Sequence, residues 1–315
     1  MGTSLKVSDH NTDHAIAGAI GGFVTRFVSQ PLDVVKIRFQ LQVEPITPHS
    51  VSKYHSLVQA FLMIFKEEGI LALWKGHIPA QLLSIAYGMT QFYAYNMIMK
   101  TSDNFSQLNE WKYSMKFVAG AGAGSIATTT SFPFDTIRTR LVAQSSNHRV
   151  YKGILHSCSC ILKHESPTVF FNGLLPTLLQ IIPHSGLQFL LYGLFTDVYK
   201  RYSDKADTSF LNSMISGSAA GLLAKTAVYP LDLSRKRLQI QGFQHGRKGF
   251  GTFFHCRGLI DCLRLTLKVE GVKGLFKGLV PSQLKAAVTT ALHFTAYEQS
   301  LILIKTIRNL STSEE

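Results

Sequence analysis

Apolar residues run along this chain in six long stretches, near residues 14–42, 77–100, 113–142, 174–200, 210–240 and 279–305. Strict apolar–polar alternation is sustained in none of them, which argues for helices over strands. Each is longer than the ~20 residues with which a helix crosses a bilayer. A shorter amphipathic stretch such as SLVQAFLMIFKEEG, 56–69, lies between the members of a pair. The pattern predicts an all-α membrane protein with six transmembrane helices and short helices on one face. Six is an even number, so both termini fall on the same side.

The six stretches are three copies of one pair. PLDVVKIR begins at Pro31, PFDTIRTR at Pro133 and PLDLSRKR at Pro230, spaced by 102 and then 97 residues. Each reads P-x-D-x-x-[K/R]-x-R. EGILALWKG (68–76), ESPTVFFNG (165–173) and EGVKGLFKG (270–278) keep the same step, and small-residue runs AGAIGG (17–22), AGAGAG (119–124) and SGSAAG (216–221) precede each proline. Three markers in one order at one period define a repeat architecture. The expected division is a polar tail, 1–13, three repeats at 14–110, 111–205 and 206–307, and a tail, 308–315, forming one structural domain.

Charge is concentrated where such segments tolerate it least. A charged residue at the centre of a membrane helix costs roughly 2.5–3.5 kcal/mol on insertion scales, and each proline motif carries one Asp and at least two cations. These groups must face water or one another. An Asp and the cation three positions on share a helix face, so a local pair is one arrangement. Threefold symmetry offers another, in which Asp33 pairs with Arg138, Asp135 with Arg235 and Asp232 with Lys36. Proline removes a backbone bond and bends its helix. Three bends toward a common axis would close one end of a cavity with a ring of breakable ion pairs.

Composition narrows the chemistry. The 315 residues carry a formal charge of +13 with only 16% charged residues, and mean hydropathy is +0.12. A basic balance implies an anionic partner. Its dispersal along the chain, with no RNP-type aromatic signature or zinc spacing, argues against nucleic acid. Four cysteines without a C-x-x-C pair read as free thiols. The first residues show neither an apolar signal core nor arginine enrichment, so any organelle address is expected to be internal. No nucleophile–base pair, P-loop or metal cluster stands out, so an enzyme is not expected and no metal or cofactor is called for.

These features together resemble the mitochondrial carrier family over about residues 14–305. The resemblance implies a six-helix barrel of pseudo-threefold symmetry, alternating access, the inner mitochondrial membrane and a monomer with both termini toward the intermembrane space. It implies a glutamine brace nine residues after each proline; Gln40 and Gln239 match and Val142 does not. Ser166 and Asn172 also depart from the pattern in repeat two. The second gate of the family is degraded here. Tyr95-Asn96, Tyr192-Gly193 and Tyr297-Glu298 retain one acid, and Met99, Thr196 and Leu301 replace its cations. The unliganded protein is therefore expected to open to the cytoplasmic side. Cardiolipin is implied at Gly76, Gly153, Gly173, Gly258 and Gly278, for which turn formation is the plainer reading.

The resemblance also places substrate contacts. Arg26 and Lys225 stand five residues before a proline motif, with Thr128 in repeat two. Lys285 lies seven residues after Gly278, where the other repeats have Leu83 and Gln180-Ile181. Three cations suit a polyphosphate, whose oxygens accept charge-assisted bonds; a backbone-bonded Arg26 or Lys225 is the alternative. The stretches 75–92, 37–42 and 229–247 are similar to a branch of the family that moves thiamine pyrophosphate. That likeness implies import of this ester into the matrix in exchange for a nucleotide. Another phosphorylated anion, a nucleotide or coenzyme A, is the alternative.

Overall fold

A computed structural model describes residues 2–44, 52–103, 112–144, 149–202, 209–243 and 254–313. Most of GFQHGR (242–247), the end of the stretch 229–247, lies outside them. Among the described residues every regular element is helical: α1 (Gly2–Leu41), α2 (Leu57–Glu68), α3 (His77–Asp103), α4 (Lys112–Ala143), α5 (Ile154–His164), α6 (Leu174–Tyr202), α7 (Ser209–Gln239), α8 (Leu259–Gly274) and α9 (Leu279–Ser313). Backbone helix in α1 begins at Gly2 and in α9 runs to Ser313, so residues 2–13 and 308–313 continue the long helices.

The helices run through Pro31, Pro133 and Pro230 without a break. Proline leaves the carbonyl four residues earlier without its helical donor. For Pro31 that carbonyl is Phe27, and the Trp74 indole donates to it at 3.0 Å. The aromatic residue of the first E-G…W-K-G signal thus repairs the helix that the first proline motif interrupts.

Three long seams close the assembly: α3 against α4, α6 against α7, and α9 against α1. The small-residue runs lie on these seams. A methyl group on Gly21 would sit 3.1 Å from the Tyr297 backbone nitrogen, so glycine is what lets α1 and α9 approach. Packing therefore accounts for these runs.

The buried apolar core lies at the proline-motif end, beside the short helices. Val34, Ile37, Leu41, Ala60, Ile64 and Leu73 form one cluster, and Ile137, Tyr151, Ile161 and Phe243 another. The amphipathic spacing of α2 turns Ala60 and Ile64 into this core, and burying one such Ile stabilises by about 1.5–3 kcal/mol. Ser56 caps α2 by accepting from the Gln59 N–H. Away from this end large apolar side chains face outward, among them Phe23, Ile85, Phe92 and Phe189. Exposed apolar surface on this scale marks an interaction surface. By length and hydropathy alone, one segment among the described residues, 167–199, passes as a membrane span. The charges and hydroxyls collected at the ring described next lower the mean hydropathy of α1, α4 and α7.

Candidate functional site

The three proline motifs meet. Arg138 Nη2 lies 2.5 Å from Asp33 Oδ2, Arg235 Nη2 2.7 Å from Asp135 Oδ2, and Lys36 Nζ 2.7 Å from Asp232 Oδ2. Each pair joins two different repeats, so the local pairing within one helix is not the one adopted. Asp33 and Asp135 are buried. A buried charge needs partners for both of its oxygens, and here those partners come from three helices.

The ring is braced unequally. Gln40 Nε2 donates to Asp232 at 3.0 Å and to the Tyr229 hydroxyl at 3.1 Å. Gln239 Nε2 donates to Asp135 at 2.5 Å, while its Oε1 accepts from Thr139 and Lys236. Lys236 Nζ lies 2.8 Å from Asp135 Oδ2 as well, giving that carboxylate two cations. No sequence marker had singled out Lys236, the extra cation of PLDLSRKR. Val142, at the third brace position, is fully buried.

A second tier lies behind the first, built from residues that recur at fixed places in every repeat. The last arginine of each motif grips the glutamate that opens the following signal. Arg38 meets Glu68 at 2.5 and 2.8 Å, and Arg140 meets Glu165 at 2.6 and 2.9 Å. Arg237 binds both oxygens of Glu270. Tyr54 and Tyr151 hydroxyls and the Thr266 hydroxyl accept from the same guanidiniums. Each Nε then reaches into another repeat, donating to the carbonyl of Val142, Gln239 and Gln40 respectively. The fork of arginine suits this double duty, which lysine could not perform. Burial alone would raise the Glu68 pKa, but Arg38 and Lys75 outweigh it and hold the group down at about 2.

The glycines of the third marker sit against the ring. Gly76, Gly173 and Gly278 have φ of 76°, 87° and 81°, the left-handed region that favours glycine. Methyl groups there would meet Arg138, the Arg235 carbonyl and the Lys36 carbonyl. Each signal thus fits under the ring cation of the next repeat, which explains these glycines without a ligand. Gly153 and Gly258 are the N-caps of α5 and α8 in extended backbone, and Ser56 fills that place in repeat one.

The three cations among the expected substrate contacts are all engaged within the protein. Arg26 Nη1 donates to the Ala80 carbonyl at 3.1 Å, and Lys225 Nζ to the Ser282 carbonyl at 2.7 Å. The two are symmetric, each acceptor standing four residues after its signal glycine. For both, the backbone-bonded alternative is the arrangement found. Thr128 bonds back to Gly124 within α4. Lys285 is no isolated cation: its Nζ lies 2.7 Å from Asp33 Oδ1. Leu83, Gln180 and Ile181 are half-buried, and Gln180 Oε1 is buried without a hydrogen-bond partner. At the opposite end, the Tyr297 hydroxyl lies 2.6 Å from His14 Nδ1, and among the described residues no ion pair involves Glu298.

This arrangement can do one thing: hold three helices together by bonds that solvated charges can replace. The candidate cations stand immediately beside it, with Lys285 bonded into it. Comparison with known proteins agrees. The sequence model of the mitochondrial carrier protein family matches residues 8–105, 110–203 and 206–307, once per repeat. The chain is 44% identical over 287 residues to the mitochondrial thiamine pyrophosphate carrier of Homo sapiens, covering 90% of this chain and 89% of that one. It is 43% identical over 292 residues to the Bos taurus protein of the same name, 91% of each chain. It is 40% identical over 306 residues to mitochondrial thiamine pyrophosphate carrier 1 of Phaeosphaeria nodorum, 94% of each. Three matched repeats covering nearly the whole chain, with the ring of inter-repeat pairs they close, place this protein in the mitochondrial carrier family.

Proposed function

We propose that the protein imports thiamine pyrophosphate across the inner mitochondrial membrane by alternating access, in exchange for nucleotides. The observation that carries this reading is the closed ring of Asp33–Arg138, Asp135–Arg235 and Asp232–Lys36 beside Arg26, Lys225 and Lys285. The ring is the matrix-side gate. Its pairs exchange protein partners for water when a solute arrives, and their modest net strength lets them reform. Among the described residues the opposite end shows no equivalent set, which supports a resting state open to the cytoplasmic side. Arg26, Lys225 and Lys285 leave their present partners for the diphosphate, whose oxygens make shorter and stronger charge-assisted bonds than a carbonyl does. The names carried by relatives at 40–44% identity support the same solute.

The topology follows from this reading. Helices α1, α3, α4, α6, α7 and α9 cross the membrane as one unit of three repeats, with both termini toward the intermembrane space. Their outward apolar side chains face lipid. A cavity of about 480 Å³ lined by Ser56, Leu57, Lys273 and Gly278 supports cardiolipin binding between α2 and α9. A monomer suffices, because the ring closes within one chain.

Uptake of labelled thiamine pyrophosphate by the purified protein in liposomes tests the proposal, beside labelled nucleotides and coenzyme A. Arg26→Ala and Lys285→Ala are expected to abolish uptake while the protein remains folded. Normal uptake in either variant removes the site assignment. Faster transport of a nucleotide or coenzyme A reassigns the solute.

A further inference from the structure

The three carboxylates of the ring are not held alike. Asp232 accepts from Gln40 and Asp135 from Gln239. By the same register Asp33 would accept from residue 142, but Val142 has no polar side-chain atom. Arg138, one turn away on the same helix and paired with Asp33, has its Nε buried without a hydrogen-bond partner. The missing contact is supplied from another helix. Lys285 Nζ lies 2.7 Å from Asp33 Oδ1 and 2.8 Å from Oδ2. The matching positions on α3 and α6 are Leu83 and Gln180. The carboxylate that lacks a glutamine is thus the one that the candidate substrate lysine of α9 reaches.

We propose that Lys285 replaces the repeat-two brace, so that the cation that meets the transported anion is also a fastener of the gate. The bracing half stands on the geometry alone; the triggering half rests on the transport reading above. A glutamine amide is a neutral donor for which an anion competes weakly. An ammonium on a flexible stem, with its side chain 27% exposed, is a target that phosphate oxygens can capture. Once captured, it leaves Asp33 with Arg138 alone. Asp135 still holds Arg235, Lys236 and Gln239. The ring therefore opens first at Asp33–Arg138, and it opens because the solute is bound.

Thermal unfolding of the full-length protein in detergent, without solute, reads the brace. Lys285→Met is expected to lower the midpoint by about 3 °C or more. In an Asp33→Asn background the same change is expected to cost less than half as much, because the acceptor charge is already gone. Equal losses in the two backgrounds, or no loss, overturn the proposal. Liposome uptake reads the trigger. Val142→Gln adds a neutral brace that no anion displaces, and is expected to lower Vmax for labelled thiamine pyrophosphate several-fold with KM unchanged. An unchanged Vmax in the folded variant overturns the trigger. Should Val142→Gln fail to fold, the Asp33/Lys285 cycle repeated in saturating inorganic pyrophosphate decides. Capture of Lys285 is expected to abolish the coupling, and an undiminished coupling overturns the trigger. If the wild type takes up no thiamine pyrophosphate, the transport reading falls while the solute-free thermal result still stands.

Discussion

Gly173 lies so close beneath Arg235 that a methyl group added to it would stand 2.7 Å from the Arg235 carbonyl oxygen. The loop signal of repeat two is thereby fitted under the ring cation of repeat three. Gly173→Ala meets two penalties, the left-handed φ of 87° and this collision. Together they are expected to cost about 2–3 kcal/mol. Gly186→Ala, inside α6 with open space around it, is expected to be neutral or slightly stabilising. Thermal unfolding of both in detergent checks the contrast, and similar losses would deny the close fit.

Charge exchange distinguishes the ring pairs. Lys36–Asp232 has one cation, one carboxylate and a neutral glutamine. Lys36→Asp or Asp232→Lys alone is expected to abolish uptake, and the double exchange to recover a measurable part of it. The same exchange at Asp135 and Arg235 is expected to fail, because Lys236 and Gln239 remain aimed at the site. Recovery at both pairs would mean that Lys236 does not act on the ring.

The second-tier glutamates differ in burial, and the difference predicts a ranking. Arg237 and Glu270 are 1% and 0% exposed, while Glu165 opposite Arg140 is 22% exposed. Breaking a fully buried pair costs about 3–5 kcal/mol. Glu270→Gln is therefore expected to destabilise more than Glu165→Gln, which leaves Arg140 its bonds to Tyr151 and to the Gln239 and Gln241 carbonyls. Unfolding midpoints of the two variants give the order.

Acid should expose the contribution of Glu68. Its pKa is about 2 in the folded protein against an ordinary 4.5, because Arg38 and Lys75 outweigh the effect of burial. A depressed carboxylate pKa stabilises fully above the unfolded value and loses that contribution as pH falls through the folded one. The midpoint gap between wild type and Glu68→Gln is expected to be constant above about pH 5 and to shrink between 4.5 and 2. A gap that persists to the lowest pH would show that the Glu68 charge is not what stabilises.

Much of the site was legible because symmetry multiplies the signal. One proline motif is ambiguous; three at a common period constrain which Asp meets which cation. The second tier was half-legible. Arg38, Arg140 and Arg237 and the glutamates Glu68, Glu165 and Glu270 stood at fixed places in every repeat. Their partnership spans about 25–33 residues of loop and helix, and spacing does not say which loop folds back. The six crossings were read from apolar length, yet by hydropathy only 167–199 qualifies among the described residues. The polar residues that build the ring dilute the very signal that announces a membrane helix.

The sequence by itself determined the helices, the threefold repeat and the six residues of the three ring pairs, though not Lys236, because these rest on local periodicity and on the cost of a charge in an apolar segment. Only the tertiary structure decided how Arg26, Lys225 and Lys285 are occupied. Arg26 and Lys225 lie on backbone carbonyls of neighbouring helices, and Lys285 on Asp33, 252 positions away along the chain. A cation takes the nearest acceptor in space, and for these three the nearest acceptor lies on a distant part of the chain that packing alone brings close.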